Sequence, residues 1–195
     1  MREQGLTPVA NPSALFLADR EEGVAGSAVF AGMEGSRPVL VEIQALVAPS
    51  SLGTPRRAAV GWDGGRLAML LAVLESRCGL VMGMRDVYLN VAGGLRIQEP
   101  AADLAVAGAL VSALTGEPLP KAAVLFGEVG LGGEIRAVGH AGTRLREAAK
   151  LGFARAFLPS GADAGNLGMD LVPTRRLLDL VGRLDRRPPS AGSSA

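Results

Sequence analysis

Glu128 and Glu134 flank the glycines Gly130, Gly132 and Gly133, with Gly127 just before them, in this 195-residue sequence. Two carboxylates so placed can support acid–base or metal chemistry, or simply brace a hairpin. The loop is not followed by the helix that a phosphate-binding glycine motif needs, so a phosphate cradle is excluded there. His140 is the only histidine and Cys78 the only cysteine. No intrachain disulfide and no cysteine zinc site can form, and a lone histidine lacks the partners of a base or metal ligand. His140 is expected to hydrogen-bond at the start of a helix, and Cys78 to be a small buried thiol ending an apolar one.

Basic residues are the other candidates. There are 18 arginines and two lysines, Lys121 and Lys150, against 19 acidic residues. Arginine makes forked contacts with phosphate and carboxylate, so clustered arginines suit a nucleic-acid or subunit surface, although a genomic bias toward arginine codons gives the same composition. Pro55-Arg56-Arg57 follows a Ser-Ser-Leu-Gly turn, which projects two guanidiniums from a loop beside a strand. Arg136, Arg144, Arg146, Lys150 and Arg155 fall close together in sequence and are expected to share a strip. Such a strip binds phosphates through counterion release, without reading bases. The competing expectation for each arginine is a surface ion pair, as with Glu147 three residues after Arg144 or Asp179 three after Arg176. Trp62, Tyr88 and the five phenylalanines are scattered, and no stacking platform is evident.

These residues need elements to position them. Ala14–Ala18 and Gly26–Ala31 are short apolar runs around a charged turn and predict a hairpin. Pro38–Ala48 reads as a longer strand ended by Pro49-Ser50-Ser51. Gly65–Cys78 places Leu67, Leu70, Leu71 and Leu74 at helical spacing, with Asp63 available near its start. Asp86–Val91 alternates as a strand, and Ala102–Leu114 is apolar all round, as a buried helix must be. Ala122–Phe126 and Glu134–Val138 flank the glycines as in a hairpin or a strand–loop–strand. Thr143–Leu151 reads as an amphipathic helix, Ala154–Leu158 and Leu171–Val172 as strands, and Arg175–Leu184 as a last helix. Strands in pairs between single helices give an α+β class. Residues 1–12 read as a linker and 186–195 as a disordered tail, leaving one domain over 13–185. No apolar run reaches about 18 residues and the N-terminus lacks a signal-peptide pattern, so a soluble, cytoplasmic chain is expected, with no membrane partner.

The order and spacing from Asp86 to Pro159 resemble the proteolytic domain of Lon-type proteases, where a strand leads to a Gly-Pro-Ser-Ala-Gly helix start bearing the nucleophile. A glycine-rich hairpin and a helix with a lysine base follow. The matching segments here are Glu99-Pro100-Ala101-Ala102-Asp103 and Gly139-His140-Ala141-Gly142-Thr143-Arg144. Ala101 falls where the serine would be and Gly142 where the lysine would be. The resemblance implies a Lon proteolytic-domain-like (ribosomal protein S5 domain 2-like) fold without its Ser-Lys dyad, and makes Glu128 and Glu134 a structural or subunit-contact pair. A Ser-Lys peptidase needs a hydroxyl nucleophile and a desolvated lysine. Of the nearby hydroxyls, Ser112 lies well inside the buried helix and Thr143 caps or starts its own. A peptidase using an unconventional nucleophile is the remote alternative.

The opening NPSALFL, VAPSSLGTPRRAAVGWD at 47–63 and RLAMLLAVLESRCGLVMGMRDVYLNVAGGL at 66–95 resemble the C-terminal domain of bacterial RadA (Sms) DNA-repair proteins. That family joins a four-cysteine zinc motif and a RecA-like ATPase to such a domain. The resemblance implies a non-catalytic part of a DNA-dependent ATPase that works on recombination intermediates by branch migration. Its partners would be DNA and itself, as a homohexameric ring; a pure oligomerisation scaffold is the alternative. The chain has no Gly-x-x-x-x-Gly-Lys-[Ser/Thr] loop and no cysteine quartet, so ATP, Mg and Zn are expected only in sequence outside it. By this reading Arg56, Arg57, Arg155, Arg136, Arg144, Arg146 and Lys150 are the candidate DNA contacts.

Overall fold

A computed structural model describes residues 13, 16, 17, 20, 21, 23–51, 53–165 and 167–184. The linker expected at 1–12 and the tail expected at 186–195 lie outside the described residues. Strand β1 (Ser27–Glu34) pairs antiparallel with β2 (Arg37–Pro49) across a two-residue turn in which Gly35 takes φ +59°. This corrects the first expected hairpin. The partner of β1 is the run that follows it, because the turn-forming Gly35-Ser36 sits between them. Of the earlier run, Phe16 is helical and Leu17 donates its amide to the Ser13 carbonyl at 3.1 Å.

Strand β3 (Arg57–Val60) leads to helix α1 (Gly64–Cys78). Asp63 caps that helix by accepting the Arg66 amide at 2.7 Å, and Gly79, at φ +70°, ends it. Strand β4 (Arg85–Val91) follows, then the turn Pro100–Ala102 and helix α2 (Asp103–Thr115). Every side chain of α2 from Asp103 to Ser112 is buried, as its unbroken apolar composition demands.

Strand β5 (Ala123–Leu125) joins the main sheet, whereas β6 (Glu128–Val129) and β7 (Ile135–Arg136) form a separate ribbon. Of the two expected arrangements, Ala122–Phe126 follows the strand–loop–strand, while the hairpin across the glycines is a short ribbon that excludes it. Helix α3 (Ala141–Lys150), β8 (Arg155–Pro159), β9 (Asp170–Thr174) and α4 (Leu177–Leu184) complete the chain. The main sheet runs β3-β4-β2-β1-β5-β8-β9, antiparallel at β4-β2-β1 and parallel elsewhere. The α+β class holds. Helix α2 packs on β1, β2 and β5 from one side and on α4 from the other.

Gly26 ties α2 to the sheet. Its amide donates to Ser112 Oγ at 2.9 Å, its carbonyl accepts from Ala45, and its φ is +91°. A Cβ there would stand 2.3 Å from the Ala45 carbonyl oxygen, against backbone that cannot yield. Gly26→Ala is expected to lower stability by about 2 kcal/mol, read as a lower urea midpoint with an unchanged slope. A change under half that would mean the β1–β2 hairpin gives way at little cost.

Candidate nucleic-acid interface

The two segments that carry Ala101 and Gly142 are held by buried ion pairs. Ala101 is 1% exposed, and its carbonyl accepts the Gly127 amide at 2.7 Å, strapping the glycine-rich ribbon to the start of α2. On one side, Asp103 is fully buried and takes a forked pair of bonds from Arg66, Nε at 2.6 Å and Nη2 at 2.5 Å, plus the Val129 amide at 3.0 Å. Burial pushes the Asp103 carboxyl up, against those hydrogen bonds, while Asp103 holds the Arg66 guanidinium above its ordinary value.

On the other side, Arg144 pairs with Glu99 and also donates to the carbonyls of Ala31 (2.8 Å) and Gly139 (2.9 Å). Its guanidinium lies 5.7 Å from the centre of the Phe126 ring, and its side chain is 2% exposed. Arg144 is thus not available to DNA, which corrects the expectation. Helical spacing explains why: Ala141, Arg144, Leu145 and Ala148 form the buried stripe of α3.

The remaining basic candidates are dispersed. Arg136 reaches both Glu134 (2.6 Å) and Glu128 (3.7 Å), so the two carboxylates that flank the glycines brace the ribbon through one arginine. Glu134's own backbone amide, and then the bond from Arg136, hold the Glu134 carboxyl below its ordinary value. Arg155 is paired with Asp170 at 2.7 Å across β8 and β9, with both groups about half exposed. Arg146 donates to Thr143 Oγ1 at 3.0 Å, so Thr143 accepts from within its helix and does not cap it. His140 stands at the helix N-cap with φ +64°, yet its exposed imidazole caps nothing; its backbone carbonyl accepts the Thr143 and Arg144 amides. The expected side-chain hydrogen bond of His140 is therefore absent among the described residues.

Arg56 and Arg57 sit together on the exposed edge of the sheet. Asp86 organises their loop by accepting the Arg56 amide at 2.8 Å, and that bond holds its carboxyl below the ordinary range. The Arg57 guanidinium donates to the carbonyls of Met82 (2.9 Å) and Arg85, which leaves the charge exposed but fixed in place. The Arg56 side chain is exposed with no ion-pair partner among the described residues. Arg155 lies five strands away, roughly 24 Å by strand spacing. Arg56 and Arg57 thus lie apart from Arg155, at the far side of the sheet.

What sequence reasoning missed is a cluster built from distant segments. Lys150, 3.9 Å from Glu147, shares a cavity with Arg37 at the start of β2 and Arg96 beyond β4. No local pattern signals that meeting. Among the described residues no group of His, Cys, Asp and Glu could hold a metal ion, and no helix is long and apolar enough to cross a membrane.

This mixed sheet, with a glycine-rich ribbon strapped to the start of a buried helix, is the Lon-type fold: residues 81–175 match the Lon protease (S16) C-terminal proteolytic domain. The chain belongs to the Lon-like domains of the RadA family. It is 64% identical over 188 residues to the DNA repair protein RadA of Brucella abortus (strain 2308), covering 94% of this chain and 40% of that protein. The RadA of Rickettsia felis (strain ATCC VR-1525 / URRWXCal2) is 59% identical over 149 residues, or 76% of this chain and 33% of the relative. That of Halalkalibacterium halodurans is 50% identical over 182 residues, 93% and 38% respectively. The chain thus spans about two fifths or less of the relatives it matches.

Proposed function

We propose that this chain is a non-catalytic domain that holds DNA and assembles the ring of a cytoplasmic RadA-type, DNA-dependent ATPase, which processes recombination intermediates by branch migration. The observation that carries this reading is the exposed Arg56–Arg57 pair on a chain matched along 94% of its length by a DNA repair protein. Ala101 and Gly142 stand where the Ser-Lys dyad of a Lon-type peptidase would lie, and no replacement is at hand. Ser112 Oγ accepts from Gly26 and donates to Glu117, and the Thr143 hydroxyl accepts from Arg146. ATP, Mg and Zn would be held by sequence outside this chain, which has one cysteine and no phosphate loop. Assembly into a homohexamer would multiply weak phosphate contacts through effective concentration.

A scaffold without DNA contact is the second reading, and one observation favours it. On the outer face of the sheet Leu46, Tyr88 and Ala58 lie side by side, next to Val60, with Leu46 and Val60 60% and 61% exposed. Isolated apolar residues are ordinary on a surface, but adjacent ones on a sheet edge mark contact with another chain. Binding to single- and double-stranded oligonucleotides across a salt series separates the readings, with assembly followed in parallel. Under the DNA reading Arg56→Glu lowers affinity at least tenfold and leaves assembly intact, and the parent shows a log–log slope of about −0.7 to −0.9 per phosphate contact. Arg155→Glu has the smaller effect, because Asp170 already neutralises that arginine. Assembly without salt-sensitive binding would leave the scaffold reading standing.

A further inference from the structure

We propose that the cavity closed by the β1–β2 turn, the Leu95–Arg96 segment and the end of α3 receives an unpaired nucleotide of single-stranded nucleic acid. Phe16 takes the base, while Arg37, Arg96 and Lys150 take the flanking phosphates. This deepens the DNA-binding reading above and rests on it.

The cavity has a volume of about 710 Å³, within the usual range of about 300–1,000 Å³ for small-molecule pockets. Its floor is apolar, formed by Phe16, Pro38, Val39 and Leu95. The Phe16 ring rests against Gly93, which takes φ +73°; a Cβ there would come within 2.6 Å of the ring Cδ1. The glycine thus makes room for an aromatic ring that is half-buried and turned toward the cavity it lines.

Charge complementarity selects the occupant. Arg37 and Arg96 are exposed and have no hydrogen-bond or ion-pair partner for their side chains among the described residues, unlike Arg136, Arg144 and Arg155. The cavity also carries Glu34 and Glu147, and the latter sits 3.9 Å from Lys150, so the net balance is one positive charge. An apolar floor with an aromatic ring and a cationic rim matches a base with its phosphates, since every base has a face that stacks. In a duplex those faces are already stacked on neighbouring pairs and cannot enter. The site therefore accepts an unpaired strand and carries little sequence preference.

The test compares this chain with Phe16→Ala, Phe16→Trp and Arg96→Ala, using oligo-dT, the same length with abasic sugars, and a duplex. Phe16→Ala is expected to lose about tenfold or more on oligo-dT, with duplex binding unchanged. Phe16→Trp restores the loss, and the parent loses a similar factor on the abasic strand. Arg96→Ala lowers oligo-dT affinity several-fold and reduces the salt slope by about 0.7. Should Phe16→Ala disturb folding, the tryptophan variant, Arg96→Ala and the abasic strand still decide the matter. If the parent binds DNA yet neither Phe16 nor Arg96 variants nor abasic sugars change single-strand affinity, this inference is overturned and the DNA reading survives. If the parent binds no nucleic acid at all, both fall together.

Discussion

Arg144→Met unfolds this domain at a markedly lower urea concentration, with an expected loss of about 3–5 kcal/mol, the usual cost of removing one partner from a buried charge pair. The side chain is 2% exposed, and methionine fills a similar length of apolar space, so packing alone accounts for little of that loss. The loss comes from what is left behind. Glu99 keeps only the Met33 amide at 3.1 Å, and the carbonyls of Ala31 and Gly139 lose their donor. Arg144→Lys recovers only part of it, because an ammonium cannot satisfy a carboxylate and two carbonyls from one fixed plane. Pairing Arg144→Met with Glu99→Leu should recover much of the stability, since the stranded carboxylate is gone. A loss below about 1 kcal/mol for Arg144→Met would show that the Glu99 contact contributes little.

Asp103→Ala is expected to be comparably severe, at about 3–5 kcal/mol, because it strands the Arg66 guanidinium and leaves the buried Val129 amide unpaired. The pH dependence of the parent offers a second check. Burial raises the Asp103 carboxyl above its ordinary 3.8, with the Arg66 and Val129 bonds opposing. A folded value above the unfolded one means that this group's contribution is fully present below about pH 3.8 and is lost as pH rises through the folded value. Measured against Asp103→Asn, which does not titrate, the parent is therefore relatively most stable in acid, and its advantage shrinks toward neutrality. An advantage that instead grows with pH would mean that Arg66 holds the carboxyl below 3.8.

Long periodic elements were legible in the sequence. The leucine spacing of α1, the unbroken apolar run of α2 and the alternation of β4 each place an element within a residue or two of its observed bounds. Pairing was less legible, since Gly26–Ala31 adjoins two apolar runs and only the two-residue turn at Gly35-Ser36 selects between them. Arg144 was readable and misread: three residues after Ala141 and four before Ala148, it falls on the apolar stripe of its helix, and charge alone suggested the exposed face. Arg37 and Arg96 were not readable. They stand 59 positions apart and meet Lys150 only because β2, the segment after β4 and the end of α3 converge in three dimensions.

Helix α2 has no surface of its own: from Asp103 to Ser112 every side chain is covered by sheet or helix. Its amide hydrogens can therefore trade with deuterium only when the whole domain comes apart, whereas terminal turns and the exposed edge strand trade through small local openings. The exchange rate of that one helix reports the global unfolding equilibrium of the domain. Deuterium uptake there gives a measure of domain integrity inside any larger assembly, where denaturant titration would dissolve the partners first.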